Sequence, residues 1–90
     1  MEKVGGFISA AESLAATLGT SGSGQLDRGN GKMVKWSFQG QLMGFEWKYI
    51  GIAVDTSTGE TCTAVKQSRA GAIEHSMRDL FGRLAARNAL

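Results

Sequence analysis

The sequence predicts an α+β two-layer sandwich, in which two helices cover one face of a three-stranded antiparallel sheet. Apolar residues recur at helical spacing near both ends of the chain, and two central runs alternate apolar and polar side chains as strands do. A chain of 90 residues has room for one hydrophobic core. Two amphipathic helices need a common sheet face on which to bury their apolar stripes. The predicted order is therefore α-β-β-β-α in a single domain spanning residues 1–90.

The first predicted helix covers about residues 7–18. Its apolar side chains are three and four residues apart, as on one face of a helix. Gly5 and Gly6 disfavour a helical start before Phe7, and Gly19 is a typical residue just past a helix C-terminus. The apolar stripe consists of Val4, Phe7, Ile8, Ala11, Leu14, Ala15 and Leu18.

A Gly/Ser-rich segment, residues 19–31, follows this helix. It contains five glycines in thirteen residues and one large apolar side chain, Leu26, so we expect a flexible loop. The glycines do not match nucleotide-binding motifs. Gly22-Ser23-Gly24 lacks the third glycine of the dinucleotide fingerprint, and Leu26 stands where a phosphate loop ending at Gly31-Lys32 needs its first glycine.

The central stretch, residues 33–54, predicts a β-hairpin. Val34, Trp36 and Phe38 alternate with polar residues, and a second strand starting at Phe45 follows a turn near residues 40–44. We expect the aromatic side chains to form the inner, buried face of the sheet. These are Trp36, Phe38, Phe45, Trp47 and Tyr49.

The apolar positions change phase after Tyr49. By strict alternation the side chains that follow point to the opposite face from Trp47, unless a bulge at Gly51 returns them to the core. Without a bulge, the sheet presents an apolar surface that its own helices do not cover. The candidate partner-binding residues are Ile50, Ile52, Val54, Met33 and Met43.

A turn at residues 55–60 leads to a third predicted strand, Thr61 to Lys66, and then to the last helix. Ser68 is a favourable N-cap, and the helix is predicted to run from near Arg69 to near Asn88. Its apolar stripe consists of Ile73, Met77, Leu80, Phe81 and Leu84.

Catalytic and metal-binding chemistry is poorly represented in the chain. One cysteine, Cys62, and one histidine, His75, form neither a disulfide framework nor a zinc site, and no carboxylates have the spacing of an acid–base pair. A Cys62–His75 nucleophile pair remains the formal enzymatic alternative. We expect no enzyme activity, no cofactor and no metal.

The composition indicates the compartment of the protein and limits the classes of partner that it can bind. A single cysteine fits a reducing, cytoplasmic compartment. No apolar run approaches the roughly 20 residues that span a bilayer, so we expect no membrane partner. The formal net charge of +2 is a mild basic excess, compatible with nucleic acid.

Nucleic-acid binding is the alternative function. The predicted order α-β-β-β-α resembles that of the double-stranded RNA-binding domain, a family that contacts duplex phosphates. Ser68, Arg69 and Ala72 match the start of that family's last helix, whereas Ala70 and Ile73 replace two of its phosphate-binding lysines. The Gly-Pro-x-His loop pattern of the family is absent. The residues implied for this role are Lys32, Lys35, Lys48, Lys66, Arg69 and Arg87.

The function expected from the sequence is that of a small non-enzymatic binding module of the adaptor or inhibitor type. It would act through protein–protein contacts at the open sheet face, with another protein or a second copy of itself as partner. Small single domains without catalytic motifs are common among accessory and phage-encoded regulators.

Overall fold

The computed structural model describes Gly6, Ile8, Ala11, residues 19–29 and residues 31–89. It has an α+β fold in which a helix packs on one antiparallel sheet, so that part of the prediction is confirmed. Within these residues the sheet has four strands rather than three, and they lie side by side in chain order. The elements are β1 (Ser21–Asp27), β2 (Met33–Met43), β3 (Glu46–Asp55), β4 (Thr61–Lys66) and α1 (Arg69–Ala86).

The core lies between α1 and the sheet face that it covers, here called the inner face; the opposite face is the outer face. Val34, Trp36 and Phe38 project from β2 into the core, and the Trp36 and Phe38 rings stack with centroids 6.4 Å apart. The predicted helix stripe is completely buried against them. It consists of Ile73, Met77, Leu80, Phe81 and Leu84.

Helix α1 begins where the sequence predicts. The Ser68 side chain accepts a hydrogen bond from the Gly71 N–H at 2.9 Å, which satisfies one of the unpaired donors of the first turn. At the other end, Asn88 adopts a left-handed φ of 54°, and the Arg87 N–H donates to the Arg83 carbonyl. The N-cap and the apolar stripe are local signals, which explains why this element was predictable.

The segment predicted to be a flexible loop contains strand β1, and this is a correction. Gly22 pairs with Phe38 and Gly24 with Trp36, so each glycine lies opposite a buried aromatic residue. A Cβ atom on Gly24 would lie 2.7 Å from Trp36 Cε2. Glycine is therefore required here because the indole ring occupies the space of a side chain, although glycine is otherwise unfavourable in strands.

The β2–β3 turn lies later in the chain than predicted. Strand β2 continues through Gly40 to Met43, because the Trp47 ring packs over Gly40, where a Cβ would lie 2.9 Å from its Cε2 atom. The turn itself is the pair Gly44-Phe45. Gly44 has a φ of 65° and Phe45 a negative φ, as in a two-residue type II′ turn.

This shift corrects the predicted core. Phe45 is fully exposed at the turn, and Trp47 is 48% exposed, so neither belongs to the buried aromatic cluster. Tyr49 is half-buried and packs against both Phe38 and Trp47.

Strand β3 has no bulge at Gly51. Ile50, Gly51 and Ile52 pair in unbroken register with Gln39, Phe38 and Ser37. Gly51 instead allows the helix to approach the sheet closely, since a Cβ there would lie 2.6 Å from the carbonyl carbon of Ala72. The uninterrupted register leaves Ile50 and Ile52 on the outer face.

The predicted N-terminal helix is not among the elements of the described residues, and most of its segment lies outside them. Ile8 and Ala11 have helical backbone conformation and are buried in the core cluster. Within the described part of the chain, no helix combines the length and apolar character needed to cross a membrane.

Candidate functional site: the outer face of the sheet

All five predicted partner-binding residues lie on the outer face. Ile50, Ile52 and Val54 alternate along β3, and their partners on β2 are polar side chains or Lys35. Val65 of β4, which pairs with Ile50, was not predicted and adds a 43% exposed side chain to the group. We call Ile50, Ile52, Val54 and Val65 the apolar patch.

Met33 and Met43 lie on the same face but are not part of the patch. They occupy the first and last positions of the 11-residue strand β2. At about 3.3 Å per residue, their Cα atoms are roughly 33 Å apart. The five predicted residues therefore share a face without forming one continuous surface.

A shallow depression runs beside the patch, along the outer face of β1, β2 and β3. It consists of two adjoining cavities of about 510 and 470 Å³, and both are lined by Ser23, Ser37 and Ile52. The lining is neutral except for Lys35. Small hydroxyl side chains on β1 and β2 create the depression beside the longer isoleucines of β3.

Charged side chains lie towards the ends of the outer face. Asp27 and Lys35 lie near the end where β2 begins, and Glu46 and Lys48 lie near the end where it finishes. Lys48 Nζ is 3.4 Å from a Glu46 carboxylate oxygen. Among the described residues, each end thus carries one acid and one base, and Lys35 is the one directly opposite a residue of the apolar patch, Val54.

The six basic residues considered for nucleic-acid binding are not brought onto one surface. Lys35 and Lys48 lie on the outer face, whereas Lys66 extends from the inner face of β4. Arg69 donates to the Gly19 carbonyl, and Arg87 pairs with Glu60 at 3.3 Å. Lys32 lies in the β1–β2 turn. Four strands precede the helix, where the family resemblance implies three.

The end of the β2–β3 hairpin is a surface that the sequence interpretation missed. Leu42 is 64% exposed, and Met43, Phe45 and Trp47 are also exposed. We call residues 42–47 the hairpin tip. The overlooked signal is the series of even-numbered residues that face inward along β2. This series continues through Gly40 to Leu42, so the turn follows Met43.

A buried ion pair, also unpredicted, closes the opposite end of the sheet. Arg28 Nε donates to Asp55 Oδ1 at 2.8 Å, and Arg28 Nη2 donates to Oδ2 at 3.2 Å. Oδ2 also accepts hydrogen bonds from the hydroxyls of Ser57 and Thr58. Arg28 further donates to the Ala89 carbonyl at 3.0 Å, so the pair joins both turns to the C-terminal segment.

The pKa of Asp55 reflects this network. Burial by itself raises the pKa of a carboxyl group, but the hydrogen bonds from Arg28, Thr58 and Ser57, with the charge of Arg28, lower it to about 2. Both side chains are nearly inaccessible to solvent. The ion pair is therefore a structural clamp rather than a ligand site.

Cys62 and His75, the candidate nucleophile pair, lie in different environments. The thiol is buried on the inner face, whereas His75 lies on the exposed side of α1. Burial raises the pKa of the Cys62 thiol, which disfavours the nucleophilic thiolate. Among the residues that the structure describes, no group of three or more histidine, cysteine or acidic side chains is placed to hold a metal ion.

We expect Cys62 to react with a thiol reagent at least about 100-fold more slowly in the folded protein than in urea, because it is buried and protonated. Labelling with 5,5′-dithiobis(2-nitrobenzoate) at pH 8 measures this. His75→Ala should leave the rate unchanged. Rapid labelling of the folded protein that slows in the His75 variant would instead support the nucleophile pair.

Comparisons with known proteins assign no family to this chain. No protein-family model matches it, and neither a curated protein nor a solved structure does.

Proposed function

We propose that this protein is a small binding module whose outer sheet face binds a second copy of the same chain. The observation that carries the proposal is the unbroken β2–β3 register, which places Ile50, Ile52 and Val54 opposite the helix-covered face. Aliphatic side chains grouped on an uncovered sheet face are typical of an interaction surface. The interaction would serve an adaptor or inhibitor role.

The charge pattern supports a second copy as the partner. Asp27 and Lys35 balance one another at one end of the outer face, as do Glu46 and Lys48 at the other. Two copies can therefore pack face to face in either two-fold orientation without opposing like net charges. Of the four charged side chains, only Lys35 is directly opposite a patch residue, Val54, and its flexible stem allows the ammonium group to stay in water.

The size of the face predicts the strength of the contact. Strands about 4.8 Å apart that rise about 3.3 Å per residue give the face dimensions of roughly 20 by 25 Å. Two such faces would bury on the order of 1,000 Å² in total, near the lower limit for specific interfaces. We therefore expect a reversible homodimer with a dissociation constant in the micromolar range.

Solution mass tests this proposal. Light scattering or sedimentation from about 1 μM to 1 mM should show a mass that rises with concentration towards twice that of the chain. Ile52→Asp should weaken dimerisation at least about 100-fold, because it places an unpaired charge at the centre of the interface.

His75→Asp is the matched control, since it introduces the same acidic side chain on the exposed side of α1 and should leave the dimer intact. Circular dichroism tests whether each variant is folded. If Ile52→Asp does not fold, Ile52→Thr retains a β-branched side chain and should still weaken dimerisation. A mass equal to one chain at every concentration would refute the homodimer.

A further inference from the structure

The hairpin tip projects beyond the rest of the sheet. Pairing of β1 with β2 ends at Ser21 and Gln39, and pairing of β4 with β3 ends at Lys66 and Tyr49. Within the described residues, the hairpin beyond this level has no neighbouring strand. The tip is thus a narrow two-stranded arm rather than part of a broad surface.

The arm has apolar side chains on both faces and at its end. Leu42 and Trp47 form a cross-strand pair on the inner face, Met43 lies on the outer face, and Phe45 is fully exposed at the turn. A flat protein surface would cover only one side of such an arm. Contact on all sides needs a deep socket or a medium that surrounds the arm.

The charged side chains that follow Phe45 along β3 are Glu46, directly after it, and Lys48. Lys48 on the outer face is three residues from Phe45, or about 10 Å along the strand. Lys66 lies opposite Tyr49, at nearly the same level on the inner face. The one charged side chain of the tip, Glu46, is paired with Lys48 at 3.4 Å.

The aromatic rings also differ in their distance from the end of the hairpin. The Trp47 ring lies back over Gly40 and meets the Tyr49 ring edge-on, with centroids 6.2 Å apart. Phe45 is thus outermost, and the amphipathic rings of Trp47 and Tyr49 lie behind it at about the level of Lys48 and Lys66. An apolar end backed by aromatic rings and lysines matches a lipid interface, where acyl chains give way to a zone of aromatic side chains and phosphates.

We propose that the hairpin tip inserts into the interfacial layer of a lipid bilayer. Phe45, Leu42 and Met43 would enter the acyl boundary by the 5–10 Å typical of interfacial segments, and Lys48 and Lys66 would lie among the phosphates. The absence of a long apolar run argues only against a spanning segment, and this mode of binding needs none. The proposal rests on the end of the hairpin and not on the apolar patch, although Lys48 also lies on the outer face, and it does not depend on the homodimer.

The two tryptophans provide the readout. Trp36 is buried and gives a constant signal, whereas Trp47 is 48% exposed and changes environment if the tip inserts. Titration with vesicles of phosphatidylcholine, and of phosphatidylcholine with phosphatidylglycerol, should shift the emission maximum to the blue by about 5–10 nm. The anionic vesicles should bind more tightly, and this advantage should disappear in high salt. Lipids brominated near the headgroup end of the acyl chain should quench Trp47 emission.

Variants separate insertion from non-specific adsorption. Phe45→Ser should reduce vesicle co-sedimentation at least tenfold, because it removes the outermost apolar group. Trp47→Phe should abolish the emission shift while co-sedimentation persists. Ile52→Thr, on the apolar patch, should change neither result. No shift and no sedimentation at millimolar lipid, or binding unaffected by Phe45→Ser, would refute lipid insertion and leave a protein socket as the site for the tip.

Discussion

Gly51→Ala is expected to destabilise the protein by about 3 kcal/mol, although it adds one methyl group. The new Cβ would lie 2.6 Å from the Ala72 carbonyl carbon and 3.0 Å from the Ala72 Cβ. These atoms belong to the helix backbone or are attached directly to it, so they cannot rotate away as a flexible side chain would. The first turn of α1 would have to move off the sheet, and the contacts of Ile73 and Met77 with the core would be loosened.

Gly82→Ala is the matched control for this prediction. Gly82 lies on the exposed side of α1, and a Cβ added there meets no atom within 4 Å. Because alanine is the better helix former, the change should stabilise the protein by up to about 1 kcal/mol. Urea unfolding followed by circular dichroism gives both values. Equal effects of the two substitutions would show that α1 does not approach β3 as closely as described.

Gly51 also shows what could and could not be predicted about the candidate site. The change of phase after Tyr49 is visible in the sequence, because alternation along a strand has a fixed period of two. A glycine at the change of phase is compatible both with a bulge and with the close approach of another element. The choice depends on Ala72, which is 21 residues further along the chain. Sequence alone therefore identified Ile50, Ile52 and Val54 but left their direction open.

The missed elements share this dependence on distant residues. Strand β1 has little β-propensity of its own, and its pairing with β2 depends on Gly24, which makes room for the ring of Trp36. The sequence pattern does not reveal the hairpin tip, because Gly40 is typical of a turn, whereas in the structure it is a strand position under the Trp47 ring. By contrast, α1 was predicted correctly because its cap at Ser68 and its apolar stripe are encoded within the helix itself.

Asp55→Asn is expected to destabilise the protein by about 3–5 kcal/mol at neutral pH, since it leaves the buried Arg28 guanidinium without a counter-charge. Glu60→Gln is the matched control, because it neutralises the carboxylate of the exposed Arg87 pair. Surface pairs contribute little, so this change should cost less than about 1 kcal/mol. Urea unfolding at pH 7 compares the two. An Asp55→Asn effect as small as that of Glu60→Gln would contradict the role of the clamp.

The pH dependence of the same variant isolates the charge of Asp55. Its pKa is about 2 in the folded protein, compared with 3.8 for an unperturbed aspartate, so the folded state favours the ionised form. That contribution, about 2 kcal/mol, is complete above pH 4 and is lost as the pH falls through 2. The stability difference between the native protein and Asp55→Asn should therefore shrink by about 2 kcal/mol between pH 5 and pH 2. A difference independent of pH over that range would show that Asp55 acts through the shape of its hydrogen bonds and not through its charge.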